Sequence, residues 1–167
     1  MKNIILIGMP GCGKSTIGVL LAKTLGTFFI DTDLIIQVRQ KNTLQRIIDT
    51  EGIENFLRYE EEALLTVDGS DSVVATGGSA VFSEKAMKHL KSSGICVMLD
   101  VPLFELEKRL RNVKTRGIAC KKGETVADIM KTREPFYSRW ADIRIDCHGL
   151  FAEEIVEKVA EAVKNRL

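Results

Sequence analysis

GMPGCGKST occupies residues 8–16 and directly follows the apolar run NIILI at residues 3–7. Gly8, Gly13, Lys14 and Ser15 match the phosphate-loop pattern G-x-x-x-x-G-K-[ST], in which a strand precedes the loop and a helix follows it. Glycines let backbone N–H groups approach phosphate oxygens, and the helix N-terminus adds partial positive charge. The stretch therefore predicts a nucleoside triphosphate site at a strand–helix junction, rather than a glycine-rich turn without a ligand.

The nucleotide ligands expected from this loop are consecutive in the chain: Gly11, Cys12, Gly13, Lys14, Ser15 and Thr16. We expect Lys14 to bridge the β- and γ-phosphates and to act in catalysis. The hydroxyl of Ser15 is the expected protein ligand of Mg²⁺. The loop thus predicts a nucleoside triphosphate and Mg²⁺ as the ligands of this site.

Short β-rich apolar runs alternate with amphipathic stretches along the chain. Strands are predicted at residues 3–7, 28–30, 72–75, 95–99 and 143–145. Helices are predicted at residues 16–25, 34–39, 44–50, 53–67, 83–90, 103–111, 125–138 and 151–163. Alternating strands and helices indicate an α/β fold, with a parallel sheet covered by helices on both faces. No repeat or linker divides the chain, so residues 1–167 are expected to form a single domain.

Two carboxylates end the predicted second strand, in the segment FIDTD at residues 29–33. Ligands bind at this edge of open α/β sheets. Asp31 could hold Mg²⁺ through water, and Asp33 could accept the proton of an attacking hydroxyl. The alternative is that one of the two aspartates only caps the next helix.

Composition limits the classes of partner. Apolar residues make up 45% of the chain and charged residues 28%, and the formal net charge is +1. A chain of such balanced charge has no electrostatic footprint for nucleic acid. No apolar run reaches the length of a membrane span, and the first apolar run is too short for a signal peptide. We therefore expect a cytoplasmic protein without nucleic-acid or membrane partners.

Seven segments of the chain resemble the shikimate kinase family in order and spacing. They are GMPGCGKST, FIDTD, EGIENFLRYEEEAL (51–64), ATGGS (75–79), LDVP (99–102), KTRG (114–117) and REPFYSRWADI (133–143). The resemblance implies phosphorylation of a hydroxyl on shikimate by ATP and Mg²⁺, in aromatic amino-acid biosynthesis. It also implies a three-layer α/β/α P-loop kinase fold with a five-stranded parallel sheet, and a monomer.

The resemblance further implies two functional regions and several site residues. A small helical substrate-binding region is expected at about residues 32–67, and a lid at about residues 112–124. The substrate is expected to contact Asp33, Gly77, Gly78 and Arg133, and Arg133 would pair with its carboxylate. Two further arginines are implied as nucleotide ligands: Arg109 would stack on adenine, and Arg116, in the lid, would reach the transferring phosphate as a catalytic group.

The chain departs from the family in the substrate-binding region. The family usually has Phe-Arg-x-x-Glu, where the arginine is a second clamp for the carboxylate, but this chain has Leu57 at that position and Arg58 one residue later. One residue turns a helix by about 100°. Arg58 could bend back to bind the substrate, or could pair with Glu61 or Glu62 on the exposed face.

Two smaller departures are Ser79, where the family has a third glycine, and Gly117, where it has a proline. The departures concern the acceptor site and the lid, whereas the phosphate-binding residues match. The alternative to shikimate is therefore another small hydroxylated acceptor, such as homoserine or gluconate. An amino-acid acceptor would need an acidic partner for its ammonium group, and Glu54 and Glu60 are candidates. A nucleotide-binding protein without phosphoryl transfer is the least favoured reading.

Overall fold

The computed structural model describes residues 2–69, 71–111 and 117–166. One five-stranded parallel sheet forms the centre of this part of the chain, in the order β2-β3-β1-β4-β5. The strands are β1 (Asn3–Ile7), β2 (Phe28–Asp31), β3 (Ser72–Ala75), β4 (Gly94–Asp100) and β5 (Ile143–Asp146). The five predicted strands and the predicted α/β fold are confirmed, because every observed boundary lies within one residue of its prediction.

The central strand β1 is buried along its whole length. Ile5 lies beside Val74 of β3 and Cys96 of β4. An apolar run buried on both faces is typical of a central parallel strand. Asn3, the one polar residue of β1, is satisfied: its side chain donates to Asp68 O (2.7 Å) and accepts from Ser72 N (3.0 Å). These bonds align the beginnings of β1 and β3.

Helices join the strands and cover both faces of the sheet. They are α1 (Lys14–Leu25), α2 (Thr32–Gln40), α3 (Leu44–Leu64), α4 (Glu84–Ser93), α5 (Leu103–Arg109), α6 (Val126–Trp140) and α7 (Ala152–Lys164). A short 3₁₀ helix, Ala80–Phe82, follows β3. Helices α1 and α7 contact each other. Right-handed crossovers place the helices that connect β2 to β3, β3 to β4 and β4 to β5 on the opposite face.

The two helices predicted at residues 44–50 and 53–67 form a single helix, α3, with a break at Gly52. Gly52 has φ of +83°, a left-handed conformation that glycine adopts at low cost. Helices α2 and α3 enclose an apolar cluster of their own, separate from the main core, made of Ile36, Ile47, Phe56 and Ala63. This small helical unit lies where the substrate-binding region is predicted.

The lid is described only in part, since residues 112–116 lie outside the described ranges. Gly117 N donates to the side chain of Gln45 on α3 (3.1 Å), so the residues that follow contact the helical unit. Across the described residues, none of the helices combines the length and the apolar character that a membrane span requires.

The connections after β1 and β3 leave opposite faces of the sheet, although these strands are neighbours. Such a switch in direction opens a crevice at the carboxyl edge of a parallel sheet. The phosphate loop follows β1, Thr76 follows β3, and Asp33 follows β2. The topology therefore gathers three of the predicted site segments at one edge.

Ile5→Ala should lower the free energy of unfolding by about 2–5 kcal/mol, because it opens a cavity in the fully buried central strand. Urea unfolding monitored by circular dichroism would measure the loss. Val38→Ala is the matched control: Val38 is 75% exposed on α2, and its truncation should change stability by less than about 0.5 kcal/mol. Equal losses in the two variants would contradict the assignment of β1 to the core.

Candidate active site

A cavity of about 380 Å³ lies at the carboxyl edge of the sheet. It is lined by residues of the phosphate loop, α2, α3, the segment after β3, the residues around the lid, and α6: Pro10, Gly11, Gly13, Lys14, Ser15, Thr16, Asp33, Phe56, Glu60, Thr76, Gly77, Gly78, Ser79, Leu110, Gly117, Ile118, Ala119 and Arg133. The cavity thus joins the predicted nucleotide site to the predicted acceptor site.

The phosphate loop has the backbone that its glycines predict. Gly8 has φ of +145°, and a Cβ there would lie 2.8 Å from Leu99 O. Gly13 has φ of +97° and precedes the first turn of α1. Glycine adopts both torsions at low cost, and at Gly8 a side chain would also collide with the Leu99 carbonyl. The loop therefore presents backbone groups at the N-terminus of α1, where anions are favoured.

Lys14 lies within the loop and is 8% exposed. Its Nζ donates to Gly8 O (2.8 Å) and Met9 O (3.0 Å), so the loop holds the ammonium group beside the cavity. Cys12 is different: its side chain is buried, its N–H donates to Met9 O, and it does not line the cavity. Cys12, predicted as a nucleotide ligand, therefore presents no free group to the site.

Asp31 combines the two roles that the sequence leaves open. Its Oδ1 accepts from Asp33 N (3.0 Å) and Leu34 N (3.4 Å), which caps α2. Its Oδ2 accepts from the hydroxyl of Ser15 (2.6 Å). A hydroxyl and a carboxylate side by side at a phosphate loop fit the oxygen preference of Mg²⁺, which usually takes few protein ligands beside phosphates and water. The described residues contain no group of three or more His, Cys, Asp or Glu suited to a metal.

Asp33 faces the cavity, and its buried Oδ1 has no hydrogen-bond partner among the described residues. Burial, and next the nearby charge of Asp31, raise the pKa of this carboxyl to about 6, while the charge of Lys14 opposes the shift. The group is therefore a hydrogen-bond acceptor that is ionised at neutral pH and close enough to neutrality to take up a proton.

Glu60, on α3, is a second buried carboxylate in the cavity and is 2% exposed. Its Oε2 accepts from the hydroxyl of Ser79 (2.5 Å), whereas its Oε1 has no partner among the described residues. Burial, and next the charge of Asp33, raise the pKa of Glu60 to about 7; Ser79, Arg133 and Lys14 act against this shift. The bond between Ser79 and Glu60 joins two positions far apart in sequence, and no local pattern predicts it.

Gly77 and Gly78 form the floor of the acceptor side. A Cβ at Gly77 would lie 2.0 Å from Glu60 Oε1 and 2.9 Å from Asp33 Oδ1, and a Cβ at Gly78 would lie 2.8 Å from an Nη atom of Arg133. The predicted glycines are therefore the points at which three charged side chains meet the backbone. Tyr137 is not among the predicted site residues, but its hydroxyl donates to Gly78 O (2.7 Å) and so holds this floor in place.

Arg133, on α6, is 2% exposed and lines the cavity. One Nη atom donates to Ala119 O (2.8 Å), and the guanidinium lies 5.5 Å from the centre of the Phe82 ring. These contacts hold the planar group at the edge of the cavity and leave its other Nη beside Gly78. A guanidinium held in this way suits a carboxylate ligand.

Arg58 lies outside the cavity, which corrects its assignment as a substrate ligand. It contacts Glu62 (3.4 Å) and Asn55 (3.3 Å), and its side chain is 58% exposed. The rotation of one residue along α3 is the reason. Leu57 contacts the apolar cluster of α2 and α3. Both Leu57 and Arg58 line a smaller cavity of about 310 Å³, together with Glu60 and Ser79.

Arg109 contacts the outer side of the phosphate loop, where it donates to Gly11 O (3.1 Å) and pairs with Glu105 (3.2 Å). Its 41% exposed side chain is available to a base bound beside the loop. Arg116, predicted as a catalytic and nucleotide-binding residue, lies outside the described residues. Arg109 therefore lies at the nucleotide side of the site, and its contact with adenine stays a prediction.

The chain is similar in sequence and in structure to known shikimate kinases. The shikimate kinase family model matches residues 10–164. Shikimate kinase of Thermodesulfovibrio yellowstonii is 35% identical over 162 residues, covering 95% of this chain and 93% of that protein. A solved structure of shikimate kinase from Acinetobacter baumannii in complex with shikimate superposes with a TM-score of 0.90 at 29% identity, covering 99% of this chain and 94% of the other.

A second group of relatives is longer. Threonine synthase-like 1 of Pongo abelii is 40% identical over 166 residues, which are 98% of this chain and 22% of that protein. The chain therefore spans about a fifth of the length of these curated relatives. The family model matches nearly the whole chain, and the chain covers 93% of the Thermodesulfovibrio yellowstonii shikimate kinase. The chain therefore belongs to the shikimate kinase family.

Proposed function

We propose that this chain transfers the γ-phosphoryl group of ATP to a hydroxyl of shikimate, giving shikimate 3-phosphate. The observation that carries the proposal is one cavity in which the phosphate loop, Asp33 and Arg133 meet, in a chain of the shikimate kinase family. The family relationship favours shikimate over the alternatives, homoserine and gluconate. The step belongs to aromatic amino-acid biosynthesis.

The nucleotide would bind through the phosphate loop. Its phosphates would offer Lys14 stronger ligands than the carbonyl oxygens of Gly8 and Met9 that hold it in the structure. Arg109 would contact the base. Ser15 and Asp31 are the residues that would hold Mg²⁺, which when bound neutralises phosphate charge. These residues orient the γ-phosphate toward the acceptor side.

Asp33 would act as the proton acceptor. The acceptor hydroxyl oxygen forms a bond to the γ-phosphorus, the bond from this phosphorus to the leaving oxygen of ADP breaks, and the hydroxyl proton passes to the Asp33 carboxylate. Its unpartnered Oδ1 is free to take the hydroxyl as a donor. Arg116 and the lid at about residues 112–124 are proposed to stabilise the transferring group and to exclude water.

Arg133 would bind the shikimate carboxylate, with Gly77 and Gly78 as the surface under the ring. The second clamp of the family is missing, because Leu57 is apolar and Arg58 points outward. A hydrogen bond to a charged group contributes about 1.5–3 kcal/mol. We therefore propose weaker shikimate binding than in a relative with both arginines.

The setting of the reaction follows from the same proposal. We place the enzyme in the cytoplasm, where ATP is supplied, as a monomer formed by a single kinase domain over residues 1–167. Its partner is a small hydroxylated molecule, and neither nucleic acid nor a membrane takes part.

Asp33→Asn should lower kcat with shikimate by about 10²- to 10⁴-fold, because the amide cannot accept the proton. Coupled ADP release would measure kcat, and calorimetric titration should show that ATP binding is retained. Asp49→Asn, on the exposed face of α3, is the matched control and should behave like the wild type. Normal turnover by Asp33→Asn would contradict the proposed mechanism.

Leu57→Arg should lower the KM for shikimate by about tenfold or more, because it places a cation beside Glu60 at the position of the missing clamp. Steady-state kinetics with shikimate would measure the change. Arg58→Ala is the control, and it should leave KM nearly unchanged, since Arg58 faces solvent. A large effect of Arg58→Ala would instead assign the clamp to Arg58.

Shikimate kcat/KM should fall as the pH rises through about 7, because the ionised Glu60 repels the shikimate carboxylate. Because the pKa of Glu60 is raised to about 7, its carboxyl is neutral below this pH and does not repel the anionic substrate. Asp33, Lys14 and Arg133 are the other charged groups that face Glu60. A pH profile of the wild type and of Glu60→Gln would test the effect, and an identical decline in both would contradict it.

A further inference from the structure

Glu60 carries a carboxylate oxygen that the fold buries and leaves without a partner. The side chain is 2% exposed, and Ser79 satisfies only Oε2. Oε1 has no hydrogen-bond partner among the described residues. An unpaired buried acceptor is costly, and a native fold seldom keeps one unless a ligand or water satisfies it.

The unpartnered oxygen faces the acceptor side of the cavity. Glu60 Oε1 and Asp33 Oδ1 both lie over Gly77, at 2.0 Å and 2.9 Å from the position of a Cβ on that residue. The two oxygens are therefore within about 5 Å of each other, a distance at which like charges interact strongly. A donor that enters this space would meet two acceptors.

A positive group lies next to these oxygens. Arg133 approaches Gly78, the neighbour of Gly77, with the Nη that does not bond Ala119 O, at the edge of the same cavity. Adjacent Cα atoms are about 3.8 Å apart, so the two charged groups flank one short stretch of backbone. The ion pairs among the described residues do not include one between Arg133 and Glu60.

Leu57 explains why Glu60 is left unpaired. Leu57, Glu60 and Ser79 line the same small cavity, so an arginine at position 57 would place its charge beside Glu60. With leucine at position 57 this cation is absent, whereas the carboxylate of Glu60 is still present. Arg58 also lines this small cavity, but it does not replace the missing cation, because its guanidinium pairs with Glu62 and not with Glu60. Among the described residues, the acceptor side thus holds two carboxylates, those of Asp33 and Glu60, and one guanidinium, that of Arg133. One negative charge is therefore left without a partner of opposite charge.

We infer that the cavity also takes a hydroxylated α-amino acid as phosphoryl acceptor, with its carboxylate on Arg133, its ammonium group on Glu60 Oε1 and its hydroxyl at Asp33. This inference rests on the proposed function, since the phosphoryl donor and the transfer step are the same. The amino-acid hydroxyl oxygen bonds to the γ-phosphorus, ADP leaves, and Asp33 takes the hydroxyl proton. An ammonium group supplies the donor that Glu60 lacks, and its charge offsets the repulsion between Glu60 and Asp33.

L-Homoserine and 4-hydroxybutyrate form a matched pair of probes, since the second is the first without its ammonium group. ADP release from Mg·ATP, with the phosphorylated product identified by ³¹P NMR, would measure transfer to each. We expect saturable turnover with L-homoserine and a kcat/KM at least about tenfold above that of 4-hydroxybutyrate, the effect of one charged hydrogen bond. L-Serine and L-threonine test the distance between hydroxyl and ammonium group.

Glu60→Gln tests the residue itself, with Glu62→Gln as the matched control on the exposed side of the same helix. In Glu60→Gln, the ratio of kcat/KM for L-homoserine to that for shikimate should fall by about tenfold or more, because the amide no longer pairs with ammonium. Glu62→Gln should keep the wild-type ratio. Thermal unfolding of both variants checks the fold, and the probe pair tests the inference on the wild type should Glu60→Gln fail to fold.

The outcomes separate the two proposals. Turnover of shikimate without turnover of any amino acid, or equal loss with both acceptors in Glu60→Gln, would overturn the inference and leave the proposed function standing. Turnover of L-homoserine with none of shikimate would support the inference and overturn the assignment of shikimate. ATP binding without transfer to any acceptor would overturn both.

Discussion

Parallel pairing of β1 with both β3 and β4 is the constraint on which the rest of the molecule depends. It buries the apolar run at residues 3–7 on both faces and brings the ends of β1 and β3 together. The phosphate loop and the Gly77–Gly78 floor extend from these two ends, so the donor and acceptor sides of the cavity share one edge. Because the sheet is the rigid core of the fold, this juxtaposition is fixed before any ligand binds.

The acceptor side shows how one substitution changes the electrostatics of a buried site. Glu60 and Asp33 remain, while the cation expected at position 57 is absent. Two carboxylates and one guanidinium then meet over two glycines, and the fold tolerates this only with raised pKa values and with one bond from Ser79. The carboxylates of Asp33 and Glu60 repel an anionic acceptor. The same two carboxylates would attract an acceptor that carries an ammonium group.

The predictions that rest on local pattern agree closely with the structure. The glycines and lysine of the phosphate loop, the strand boundaries and the capping by Asp31 each follow from a few neighbouring residues. The outward direction of Arg58 also follows from helix geometry alone, and it removes Arg58 from the predicted substrate ligands. Cys12 was assigned to the nucleotide by its place in the motif, but its side chain turns into the core.

The sequence by itself determined the chemistry of the nucleotide side, because a phosphate loop is a contiguous motif whose backbone geometry depends on its own residues. The tertiary structure decided the acceptor side. Glu60 meets Ser79, and Tyr137 holds Gly78, through contacts between residues 19 and 59 positions apart. Such contacts exist only after α3, β3 and α6 pack around the same edge of the sheet, and burial there sets the charges that an acceptor meets.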